Sequence, residues 1–107
     1  MKHRLFLFAV LLAALTMPNV AKAYDFSAVA PTGQTLYYNI VGGNAQVISE
    51  NTDGSYSTYP TGALTIPSSV TYQGTTYAVT KIGVFAFAEC SDLTSIIIPS
   101  SVTTIVT

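Results

Sequence analysis

The chain has one cysteine, one histidine and no tryptophan, and only 8% of its 107 residues are charged. Each scarcity excludes a class of function. A lone thiol, Cys90, forms no intrachain disulfide. It also cannot supply a zinc ligand set. Its neighbours Phe85, Ala86, Phe87 and Ala88 are apolar, so Cys90 is expected to be a small buried hydrophobe. The histidine is His3, which falls in an expected export leader. Without it neither a Ser–His–Asp nor a Cys–His relay can be assembled. No glycine-rich phosphate loop with a following lysine is present.

The leader is read from four features. Lys2, His3 and Arg4 are a positive start, and Leu5–Leu15 is an apolar run of eleven residues. Pro18 breaks that run, and Ala21-Lys22-Ala23 supplies a small-x-small cleavage pattern. The run falls short of the roughly 20 residues needed to cross a bilayer. Residues 1–23 are therefore expected to be a signal peptide. The product is then exported, whether secreted, periplasmic or held at the cell surface, with no membrane insertion after cleavage. The remaining 84 residues carry one lysine, Lys81, against Asp25, Glu50, Asp53, Glu89 and Asp92, a net charge of −4. Nucleic acid, whose phosphates need several cations, is excluded as a partner.

What the chain does have is repetition. The hexapeptide IPSSVT occurs at Ile66–Thr71 and again at Ile98–Thr103, 32 positions on. A second register aligns Val79-Thr80-Lys81-Ile82 with Val102-Thr103-Thr104-Ile105 at a spacing of 23. The nine-residue difference places an insertion near 71–79. Its Gln73-Gly74 lies between Thr/Tyr/Val-rich arms, which predicts a β-hairpin. Within the repeat, Ile96 and Ile98 share one strand face and Ile97 the other. Pro99 lacks an N–H and ends the ladder. Gly83 permits a tight bend. Ala86-Phe87 with Cys90 fits a short helical turn, and Val102 and Ile105 bring a second apolar edge to the core.

Residues 24–63 do not repeat. Leu36, Tyr38 and Ile40 alternate with Tyr37, Asn39 and Val41, as in a half-buried strand. A turn at Gly42-Gly43-Asn44 and a returning arm Ala45–Ser49 complete a hairpin, its tight pair being either Gly42-Gly43 or Gly43-Asn44. Asp25–Ala30 is a further candidate strand. Asn51 to Gly62 reads as a polar loop.

The run Ile82-Gly83-x-x-Ala86-Phe87-x-x-Cys90-x-x-Leu93-x-x-Ile96-x-Ile98-Pro99-x-Ser101-Val102-x-x-Ile105 resembles the BspA-like leucine-rich repeat at every fixed position of its pattern. Leu64–Thr71 adds a preceding half. The resemblance implies a mainly β fold: an N-terminal β-hairpin cap, then the start of a leucine-rich-repeat, β-solenoid-like array with a short helical turn per repeat. It divides the chain into a capping segment, 24–63, and a truncated repeat region, 64–107, with about one and a half repeats. It also implies a non-enzymatic adhesion or host-protein-binding role at a bacterial surface. Arrays usually need three or more repeats. A truncated remnant, non-functional or self-associating through an uncapped C-terminal coil, is the competing expectation.

Seven tyrosines are the remaining feature. Tyr56, Tyr59, Tyr72 and Tyr77 fall in or beside predicted hairpins and loops, and are candidate contacts for a protein or a glycan. No catalytic, cofactor or metal residues are predicted. Glu89 and Asp92, three apart, read as solvated surface, and Asn51-Thr52-Asp53-Gly54 as an ordinary turn, because a calcium loop's closing glutamate is replaced by Pro60.

Overall fold

A computed structural model describes residues 21–106. The expected leader lies outside the described residues as far as residue 20. The chain is mainly β, and there is no helix among the described residues.

The first three strands form an antiparallel meander. β1 (Phe26–Val29) pairs with β2 (Thr35–Val41), which pairs with β3 (Asn44–Ile48). The β2–β3 register sets Val41 opposite Asn44, so Gly42-Gly43 is the tight pair. Their φ values of 59° and 83° give the left-handed turn that matches strand twist. Alternation behaves as the pattern demands: Leu36 and Tyr38 are fully buried, while Tyr37 and Asn39 lie on the other face.

β4 (Gly62–Thr65) follows the polar loop. β5 (Ser69–Tyr72) and β6 (Thr75–Ile82) are an antiparallel hairpin closed by Gln73-Gly74, where the sequence placed one. β7 (Leu93–Ile97) and β8 (Thr104–Ile105) complete the chain.

Two parallel ladders organise these strands. β3, β6 and β8 form one, with Val47 beside Ile82 and Ile82 beside Ile105. β4 and β7 form the other, with Leu64 beside Ile96 and Thr65 beside Ile97. The sequence spacings of 32 and 23 are thus both realised as lateral neighbours. From β3 the chain passes to β4, back to β6, on to β7 and back to β8. The larger sheet draws on both expected segments, because β3 of the first pairs with β6 of the second, while β4 and β7 form a separate two-stranded sheet.

The core between the ladders holds Phe26, Leu36, Tyr38, Val47, Leu64, Ile66, Val70, Val79 and Ile82. β4 is closed on the side away from β7 by polar side chains. Gln34 donates from Nε2 to the carbonyls of Thr61 and Ala63 at 2.8 and 2.9 Å, and the Thr65 amide donates to Thr32 Oγ1 at 3.1 Å. No strand among the described residues covers the outer edge of β7.

One expected element is corrected. Residues 84–89 are a series of turns, not a helical turn. The amides of Ala86, Ala88 and Cys90 reach back three residues to Gly83, Phe85 and Phe87. Phe85 sits at φ 64°, in the left-handed region, and breaks the run of right-handed residues a helix requires.

The expected repeat core is graded along the stack. Ile82, Gly83 and Ala86 are buried; Phe87, Cys90, Leu93, Ile96, Pro99 and Val102 are half-buried. Ile98 and Ile105 are corrected from interior to exposed positions, at 43% and 54%, because no further strand among the described residues lies against them. Cys90 is half-buried, and its thiol is pushed up by burial and then by Glu89.

Gly83 is required for a steric reason. A Cβ there would stand 2.7 Å from Gln46 Nε2 and 2.9 Å from Ile48 Cγ2. The glutamine can swing away; the buried Ile48 cannot without disturbing β3. Gly83→Ala is expected to cost about 1–3 kcal/mol in urea unfolding. Paired with Ile48→Val, it should cost less than the two single losses added together.

Candidate functional site

The structure sorts the tyrosines into two groups. Tyr72 and Tyr77 join Phe26 and Tyr38 around the core, with Phe26 stacked on Tyr72 at 4.5 Å and on Tyr38 at 5.3 Å. They are half-buried packing residues. Tyr56 and Tyr59 belong to a second row with Tyr24 and Tyr37. Successive ring centroids are 4.8, 5.8 and 5.3 Å apart, from Tyr24 through Tyr37 and Tyr56 to Tyr59.

Tyr56 is corrected from a candidate contact to a buried strut, only 6% exposed. Its hydroxyl donates to the Ala86 carbonyl, tying the loop after β3 to the turns after β6. Burial, then the nearby Cys90, Tyr37 and Glu50, holds its phenol above the ordinary range. Tyr37 is raised by burial and then by Glu50 and Tyr24. Glu50 is itself fixed by Ser57, whose amide donates to Oε1 at 2.6 Å and whose hydroxyl donates to Oε2 at 3.1 Å.

The rings of this row cross at 54°, 61° and 50°. Edge-on contacts of this kind are how aromatic side chains pack on each other. They give no shared flat face on which a sugar chain could lie.

Beside the row runs a groove of about 410 Å³. Its floor is the outer face of β2 and β3, where Asn39 and Gln46 stand opposite each other and Ile48 adjoins them. Val84 and Phe85 form one wall, and Lys22 and Ala23 the other. Phe85 is 53% exposed and is held there by its left-handed backbone. Gly54 lies beneath it, close enough that an added Cβ would meet Phe85 Cβ at 3.2 Å. The groove thus joins two amides and a hydroxyl, Thr52, to an aromatic wall.

The loop below the groove is rigidly tied. Asp53 Oδ1 accepts from the Ser55 amide at 3.0 Å and the Ser55 hydroxyl at 2.6 Å. These two bonds hold the Asp53 carboxyl below its usual range. Asn51 Nδ2 donates to Ser55 Oγ at 3.1 Å, and the Ser49 hydroxyl donates to the Asn51 carbonyl at 2.8 Å. Glu89 and Asp92 are both exposed.

The sequence reading missed Tyr24, Tyr37, Asn39, Gln46 and Phe85. The strand alternation that buried Leu36 and Tyr38 necessarily put Tyr37 and Asn39 on the opposite face, so that signal was present. Nothing local marks Phe85, whose placement depends on contact with Gly54. No family model matches the chain, and no curated protein or solved structure matches it either.

Proposed function

We propose that this chain is an exported, non-enzymatic interaction protein that binds a protein partner, built as the start of a BspA-like leucine-rich-repeat coil. The observation that carries this reading is the alternation between two parallel ladders, with Leu64 beside Ile96 and Ile82 beside Ile105. A chain that winds this way presents its coils in register and offers an extended surface to a partner. The resemblance of residues 82–105 to the repeat pattern gives that surface its expected role, adhesion to host proteins.

The crossed rings of the tyrosine row favour a protein over a glycan. A sugar chain needs exposed aromatic faces, and rings packed on one another around the buried Tyr56 do not offer them. Exposed Ile97, Ile98, Ile105 and Val106 mark where a further coil or a second copy would pair.

The test is binding of the purified, folded chain to immobilised extracellular-matrix proteins and to host cells, run beside a glycan array. Saturable binding to a protein, with an empty array, is the expected result. Binding confined to glycans, or to nothing in either assay, overturns the reading.

A further inference from the structure

Residues 21–23, the small-x-small triplet of the expected cleavage site, are docked on the body through a single antiparallel bridge. Lys22 bridges to Asn51. The Ala23 amide donates to the Glu50 carbonyl at 2.8 Å, and the Thr52 amide donates to the Ala21 carbonyl at 2.8 Å. Lys22 and Ala23 also form one wall of the groove over Asn39 and Gln46. Cleavage after Ala23 would remove that wall and release one carbonyl and one amide of the 50–52 edge.

The edge does not depend on the triplet for its shape. Asn51 is held from its own side by Ser49 and by two bonds to Ser55, one from its amide at 3.1 Å and one from its side chain at 3.1 Å. A vacated but preorganised strand edge beside a groove is the geometry that captures an extended peptide: main-chain bonds supply affinity and the groove selects the side chain.

We propose that the processed chain takes up an extended segment of its protein partner by antiparallel strand addition to Glu50–Thr52, at the place residues 21–23 occupy in the unprocessed chain. The occupant's chemistry is read from that triplet. A small side chain takes the place of Ala23 against the groove. A basic one takes the place of Lys22, whose Nζ lies 5.3 Å from the centre of the Tyr24 ring. A cation suits the site, because the processed chain carries a net charge of −4 and Glu50 and Asp53 flank the edge. The proposal rests on the reading of the chain as an exported protein-binding molecule and names the surface it would use.

The experiment uses exported chain whose N-terminus is read by mass spectrometry, and a synthetic amidated peptide of sequence PNVAKA as the probe. Peptide is titrated while the backbone amides are followed by NMR. Saturable shifts centred on Asn51 and Thr52, with slowed hydrogen exchange at the Thr52 amide, are expected. The same peptide carrying Ala23→Pro lacks the donor to Glu50 and is expected to bind roughly tenfold more weakly. Absence of saturable shifts at about 5 mM peptide, equal binding of the proline peptide, or an N-terminus other than Tyr24 each overturns the proposal. So do Asn51 and Thr52 shifts that follow protein concentration without peptide, since a second copy would then fill the edge. The matrix-protein assay is independent: partner binding there with no peptide binding here rejects this surface and leaves the protein-binding role standing.

Discussion

Raising the pH above about 10 is expected to unfold this chain in the absence of any denaturant. Tyr38 is fully buried, its hydroxyl has no hydrogen-bond partner, and burial pushes its phenol up to about 12. Tyr56 and Tyr37 are raised as well. In the unfolded chain these phenols lose their protons near pH 10, while the folded chain retains them. Above that pH the folded state binds more protons, so stability falls as the pH rises. It is fully present below the unfolded value and is lost on the way to the folded one. That shift at Tyr38 is worth about 3 kcal/mol, and Tyr56 adds to it. For a domain this small, whose total stability is on the order of 5–10 kcal/mol, that loss is most of the margin. Circular dichroism against pH reads the transition directly. Tyr38→Phe removes the titrating group together with an unpaired buried hydroxyl. It should raise the pH midpoint and leave neutral-pH stability equal or up to about 1 kcal/mol higher. A midpoint unchanged by Tyr38→Phe, or a chain still folded at about pH 12, would show that Tyr38 is not the limiting group.

Leu64→Ala is expected to cost about 3–4 kcal/mol, and Ile96→Ala only about 1–2 kcal/mol, although the two residues occupy the same position of the repeat. Leu64 is 1% exposed, set inside the core cluster and paired with Ile96 in β7. Ile96 is half-buried, with β4 on one side only. The cost of removing methyl groups scales with the cavity left behind, and a side chain already facing solvent leaves little. Urea melts of the two variants, analysed with a common slope, give the comparison. Equal losses would mean that Ile96 is covered in solution by something outside the described residues, which would place a partner on the β7 edge.

These two predictions mark the boundary of what the sequence could tell. The hexapeptide and the 23-residue register led to the pairing of Leu64 with Ile96 and Ile82 with Ile105, because equivalent positions of a repeated apolar pattern stack in register. The Gln73-Gly74 turn and a turn somewhere in Gly42-Gly43-Asn44 were legible for a similarly local reason, since each needs left-handed residues, which few side chains tolerate; only the β2–β3 register selects Gly42-Gly43. The burial gradient from Leu64 to Ile98 was not legible, since exposure depends on what lies alongside a strand. The series of turns at 84–89 was misread as helical because Ala, Phe and Ala suit a helix. Phe85 instead takes a left-handed backbone while packing over Gly54, a contact with a residue 31 positions earlier. The tyrosine row and the groove escaped for the same reason: their members come from the segment before β1, two strands and two loops.

Gln34 has a consequence for how such a molecule can vary. By grasping two carbonyls it seals the upstream border of β4, so a duplicated unit has nowhere to insert on that side. On the proposed repeat reading, new units fit downstream of Ile98, where the outer edge of β7 is uncovered among the described residues. Growth by such units would extend the molecule from that end alone, while the groove floor of Asn39 and Gln46 keeps its place in β2 and β3.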